Sequence, residues 1–98
     1  MYYMDHLLTL LTFEKARELR FHPGSPPVVV SEEEQRSLLG PAMTREDVMQ
    51  LLRCLANSRH VRELRQSGTV SFVYNAPGRS PFLVRARIQG DTITFEIS

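Results

Sequence analysis

Apolar residues along this chain recur at two different spacings, and the switches between them mark out its elements. Leu7, Leu8, Leu10, Leu11 and Phe13 follow Asp5. They predict a short helix over residues 5–16, capped by the aspartate, apolar round much of its circumference and largely buried. Glu18 to His22 then alternates as a strand does. Pro23-Gly24-Ser25-Pro26-Pro27 forces a turn, because prolines lack the amide donor and glycine tolerates unusual backbone angles. Val28-Val29-Val30 resumes as a strand, since β-branched side chains suit a pleated surface. Ser31 to Gln35 reads as an acidic connection, and a weaker strand over Arg36 to Leu39 ends at Gly40-Pro41. Thr44 with Asp47 makes a capping box for a helix whose Val48, Leu51, Leu52 and Leu55 share one face. Asn57-Ser58 breaks and recaps the chain. A second short helix follows over Arg59 to Gln66, with Val61 and Leu64 inward and Gly68 placed to stop it.

The last third is a meander of period two. Val70, Phe72 and Tyr74 form one run, Phe82, Val84, Ala86 and Ile88 a second, and Ile93, Phe95 and Ile97 a third. Turns at Ala76-Pro77-Gly78-Arg79 and Gln89-Gly90-Asp91 join them. Three such runs make an antiparallel sheet with one buried face, which the helices must cover. The expected fold is α+β: one domain over residues 1–98, a two-layer sandwich with helices on one face of the sheet. Thr92 to Ile97, the last strand, is expected at an edge, where pairing with a second copy would make a homodimer.

Composition narrows the function more than the fold. Twelve Lys and Arg against eleven Asp and Glu leave the chain nearly neutral, which argues against a protein built to neutralise phosphates. Lys15 is the only lysine, and the arginines suit planar, bidentate partners. Cys54 is the only cysteine, so no internal disulfide and no thiolate zinc site can form; inside an amphipathic helix it is expected to be a buried, inert thiol. No signal-peptide pattern and no run of about 18 apolar residues occurs, so the chain reads as cytoplasmic with no membrane insertion.

Candidate chemistry is sparse. There is no G-x-x-x-x-G-K-[ST] and no G-x-G-x-x-G, hence no recognisable phosphate cradle. His6, His22 and His60 stand on different elements without metal-ligand spacing, and Glu32-Glu33-Glu34 reads as a solvated loop. No catalytic residue, cofactor site or metal site is assigned. Arginines are the one notable group. Arg53, Arg59, Arg62 and Arg65 lie on adjacent helical segments, and Arg85 and Arg87 share the exposed face of a strand, with Glu63 and Glu96 as nearby counter-charges. Arg53, Arg62, Arg65, Arg85 and Arg87 are the candidate partner-binding residues, since interfaces favour arginine anchors. Single-stranded nucleic acid would want aromatic side chains on the same face. Phe72, Tyr74, Phe82 and Phe95 all fall on the core side, which weighs against that ligand.

Read in order, Arg17-Glu18-Leu19-Arg20-Phe21, Gly24-Ser25-Pro26-Pro27, Met43-Thr44-Arg45-Glu46-Asp47-Val48 and Gly68-Thr69-Val70-Ser71-Phe72-Val73-Tyr74-Asn75-Ala76-Pro77-Gly78 form a pattern. It resembles the N-terminal domain of the PilT-type type IV pilus retraction ATPases over essentially the whole chain. Those domains run from a leucine-rich helix through an S-D-L-H-L-like strand, a G-x-P-P turn and an L-T-x-E-D-V helix to a D-F-S-Y-x-x-P-G strand and turn. The resemblance implies a PAS-like fold. In the motors this domain precedes the ATPase core, packs against a neighbouring subunit's core in a hexamer, and moves as ATP turns over. Ser98 falls about where the family enters its linker to that core.

Departures from the pattern qualify what it implies. In the motors, arginines of an R-V-D-G-like hairpin and an R-F-R-V-N-like strand reach toward the neighbour's nucleotide. Val30, Pro81 and Leu83 stand at those positions here, the hairpin's Asp-Gly is Glu32-Glu33, and Glu18 and Arg20 replace an Asp and a His. Phosphate sensing is therefore not carried over, since Pro81 and Leu83 would be poor anion ligands. The first expectation is a non-catalytic interaction or regulatory domain, an adaptor in type IV pilus, secretion or motility machinery whose partner is a pilus- or secretion-type ATPase. The alternative is a PAS-like small-ligand sensor, although large apolar inward residues describe a filled core rather than a pocket. A third reading makes the chain an excised domain of a longer protein. ATP hydrolysis is excluded by the missing phosphate cradle and magnesium ligands.

Overall fold

The computed structural model describes residues 2–13 and 16–98. In chain order the elements are α1 (Met4–Phe13), β1 (Glu18–Phe21), β2 (Val28–Val30), β3 (Gln35–Ser37), α2 (Arg45–Arg53), α3 (Ser58–Ser67), β4 (Thr69–Tyr74), β5 (Phe82–Gln89) and β6 (Thr92–Ile97). The strands form one six-stranded antiparallel sheet in the order β3-β2-β1-β6-β5-β4. The helices lie on one face of it, α1 against β1, α2 against β6, and α3 against β4 and β5. The α+β class expected from the sequence is the one observed.

The core lies between that face and the helices. From the sheet come Leu19, Phe21, Val29, Val84, Phe95 and Ile97, all buried; Leu8, Val48, Leu52 and Leu64 meet them from the helices. Phe21 and Phe95 are direct partners in the β1–β6 register, and their rings stack with centroids 4.4 Å apart. That contact joins the two halves of the sequence. Burying each ring contributes roughly 1.5–3 kcal/mol, and the stack about 0.5–1.5 kcal/mol beyond it.

Local signals set the helix ends. Thr44 accepts from the Asp47 amide at 3.1 Å while the Asp47 carboxylate accepts from the Thr44 amide at 2.8 Å, completing the capping box. In α3 the same reciprocity links Asn57 and His60: the Asn57 side chain accepts from the His60 amide, and His60 Nδ1 accepts from the Asn57 amide. The His60 ring also lies flat on Phe72 with centroids 3.9 Å apart, which gives this histidine a structural task. Gly68 ends α3 in the left-handed region, φ 80°, and its amide bonds the Leu64 carbonyl.

Several expectations need correction. β6 is not an edge strand: it lies between β1 and β5, and the edges are β3 and β4. A dimer through Thr92–Ile97 is therefore excluded, because both sides of that strand are already paired. α1 begins at Met4, so Asp5 sits within the first turn, where its charge complements the helix dipole, rather than capping it. Its buried stripe is Met4, Leu7 and Leu8, with Leu11 half-buried; Phe13 falls off that stripe and is exposed. The part of the expected helix at Glu14 and Lys15 lies outside the described residues. β3 covers Gln35–Ser37 rather than residues 36–39, because the turn closes with the Ser31 amide on the Glu34 carbonyl and pairing starts at once. Leu39 is fully exposed. Cys54 is exposed rather than buried: it is the C-cap of α2, off the Val48-Leu51-Leu52-Leu55 stripe, and its thiol donates to the Gln50 carbonyl.

Candidate functional site

Every second residue of a strand points away from the core, and in this sheet the face opposite the helices is left uncovered. The registers set its side chains in rows. One runs Ser71, Arg85, Glu96, Arg20 across β4, β5, β6 and β1, and the next runs Thr69, Arg87, Thr94. Together with His22 and Gln89, these side chains line a shallow trough of about 620 Å³.

Charge on this face is unevenly matched. The Glu18 carboxylate accepts from Arg20 Nε at 2.6 Å and lies 3.7 Å from the Arg85 guanidinium, which is 3.1 Å from Glu96. The Glu18 side chain is only 14% exposed, so this carboxylate sits largely out of water between two arginines, tying β1 to β5 across β6. Three arginines thus meet two glutamates. The unmatched one is Arg87, which has no acidic partner among the described residues and is flanked by Thr69 and Thr94. At the β4–β5 end the face becomes apolar, where Val73 and Leu83 pair across strands and are 57% and 40% exposed.

Among the described residues, the trough hydroxyls of Thr69, Ser71 and Thr94 have no histidine or carboxylate hydrogen-bonded to them. Among the described residues, no group of three or more His, Cys, Asp or Glu stands close enough to hold a metal ion. No helix among the described residues is long and apolar enough to cross a membrane.

The candidate arginines do not form one site. Arg85 and Arg87 lie on the open face, whereas Arg53, at the end of α2, and Arg62 and Arg65, on α3, are exposed on the helical layer on the other side of the sheet. Among the described residues Glu63 pairs with none of the helix arginines; Glu96 does pair with Arg85. Glu18, Arg20 and His22 belong to the face and were missed as site residues. The alternation of β1 puts all three on one side, but only the β1–β6 pairing brings that side to Arg85 and Arg87. The acidic run sits at the β2–β3 turn, where Glu32 pairs with Arg17 at 3.4 Å in an exposed contact. Val30, Pro81 and Leu83 leave their positions without a charge, Val30 half-buried and the other two exposed.

No protein-family model and no curated protein matches this sequence. Solved structures do match its fold. The pilus retraction motor PilT, solved with bound ADP, superposes over 99% of the chain with a TM-score of 0.83 at 19% identity. The ATPase DotB of Legionella pneumophila covers 96% with a TM-score of 0.76 at 15% identity, and DotB of Yersinia pseudotuberculosis 96% with 0.68 at 16%. The chain spans 28% of the length of each of these proteins. Its fold is that of the PilT N-terminal domain.

Proposed function

We propose that this chain is a non-catalytic interaction domain that works as an adaptor for a pilus- or secretion-type motor ATPase. The observation that carries this reading is the superposition of nearly the whole chain on part of PilT. Beside it stands an open sheet face on which Arg87 has no acidic partner among the described residues. In this reading Arg87 is the principal contact residue, and the open face of the sheet meets the partner. Affinity capture from the host cell's lysate tests it. Recovery of a PilT-like ATPase by the wild-type chain, and its loss with Arg87→Glu, is expected; equal recovery by both would refute the assignment of the face.

A second reading, a small-ligand sensor, draws support from the trough, whose volume falls within the range typical of ligand sites. It is a polar trough on the open face, not a chamber between sheet and helices. A ligand that binds only the folded state would raise the melting temperature. A metabolite screen without any such rise would leave the adaptor reading alone.

A further inference from the structure

The phase of the β4–β5 ladder leaves one set of backbone groups unused. The Ile88 amide donates to the Gly68 carbonyl at 2.8 Å, so that pair is of the hydrogen-bonded kind. Such pairs alternate along an antiparallel ladder. Val70, Phe72 and Tyr74 therefore spend their amides and carbonyls on Ala86, Val84 and Phe82. Thr69, Ser71 and Val73 turn theirs outward from the end of the sheet, and no described residue bonds to them. Their side chains stand on the open face.

Exposed strand ends are usually blunted by charge, proline or brevity. The other edge follows that rule: β3 has three exposed residues, one of them Arg36. β4 does not follow it. Its six residues, Thr-Val-Ser-Phe-Val-Tyr, hold neither a charge nor a proline. The charges around this edge are predominantly positive instead. Arg87 is unmatched on the open face, and α3, packed on β4 from the other side, carries Arg59, Arg62 and Arg65 against Glu63 alone.

We propose that the β4 edge takes up an extended acidic segment of a partner protein as a seventh strand. The unused backbone groups supply the pairing, and the arginines on both sides select for acidic side chains. This rests on the adaptor reading and gives its partner a chemistry. A second copy of the chain fits this edge poorly. Because α3 covers β4, a two-fold pairing would bring two α3 helices to within about one or two strand spacings, ~5–10 Å, at or inside normal helix packing distance. It would also set arginine-rich helices against each other. A lone strand carries no such layer. Acidic side chains on its open side would lie about 10 Å from the β5 backbone, a span that an arginine and a glutamate close together.

The test uses the purified chain and a fluorescent heptapeptide of alternating valine and glutamate, followed by fluorescence anisotropy. Saturable binding that weakens with salt is expected, with no binding of the valine–lysine counterpart. Ser71→Pro should weaken binding about tenfold or more while leaving the melting temperature nearly unchanged, because the lost amide points outward and edge strands tolerate proline there. Arg87→Gln should weaken binding a few-fold, about threefold, and flatten the salt dependence. If Ser71→Pro unfolds the chain, methylating the alternate peptide amides that face β4 makes the same deletion from the other side. Absence of binding at millimolar peptide, equal binding of the lysine peptide, or indifference to the methylation would overturn strand addition. Peptide binding without capture of an ATPase would sink the adaptor reading alone; capture of an ATPase without peptide binding would sink strand addition alone.

Discussion

Reversing the charge of Arg85 should destabilise the fold and reversing that of Arg87 should leave it nearly unchanged, although the two residues are neighbours on one strand face. Arg85→Glu removes contacts at 3.1 Å to Glu96 and 3.7 Å to Glu18, and puts a third carboxylate between them. Each exposed pair contributes about 0.2–1 kcal/mol, and the new repulsions are of similar size. Arg85 is half exposed, so solvent screening keeps the total to roughly 1–3 kcal/mol. In a domain of this length that corresponds to a fall in melting temperature of ~5–20 °C. Arg87→Glu breaks no ion pair and should stay within about 0.5 kcal/mol of wild type. Thermal unfolding followed by circular dichroism at low salt, and again at about 1 M salt where the screening length is ~3 Å, measures both. The gap between the variants should shrink at high salt. Equal melting temperatures at low salt, or a gap indifferent to salt, would refute the ion network described for this face. A loss of partner binding with Arg85→Glu would mix contact with stability, so Arg87 is the residue to reverse.

Other substitutions probe the scaffold. Gly40 has φ 140°, and an added Cβ would stand 2.6 Å from Tyr2 Oη, which donates to the Pro41 carbonyl; Gly40→Ala should cost about 1–3 kcal/mol by urea denaturation. Leu64 is the one fully buried side chain of α3, so Leu64→Ala should cost roughly 2–5 kcal/mol in the same assay, and a cost below about 1 kcal/mol would mean that α3 is held in some other way. Cys54 should react with a thiol reagent in the native protein at a rate close to that in denaturant; protection until unfolding would contradict its exposure.

Contacts between sequence neighbours were legible, and those between distant segments were not. The β4–β5–β6 meander, the Thr44–Asp47 box and the Gly68 stop each depend on residues a few positions apart, and all appear as expected. Alternation says which face a side chain takes but not which strand lies beside it. The pairing of β1 with β6 joins residues more than seventy positions apart, and without it β6 reads as an edge. The same pairing carries Glu18 and Arg20 to Arg85, so the charge network was hidden while Arg85 and Arg87 were visible. Cys54 was misplaced for a simpler reason: it lies inside the apolar segment but outside the apolar stripe, and the stripe decides burial.

The most direct measurement attaches a fluorophore to Cys54, on the side of the sheet away from the open face, and titrates the labelled chain with the purified PilT-like ATPase of the same cell. Saturable binding is expected, weakened about tenfold by Arg87→Glu with no change in melting temperature. No binding, or binding that Arg87→Glu leaves intact, would contradict this expectation.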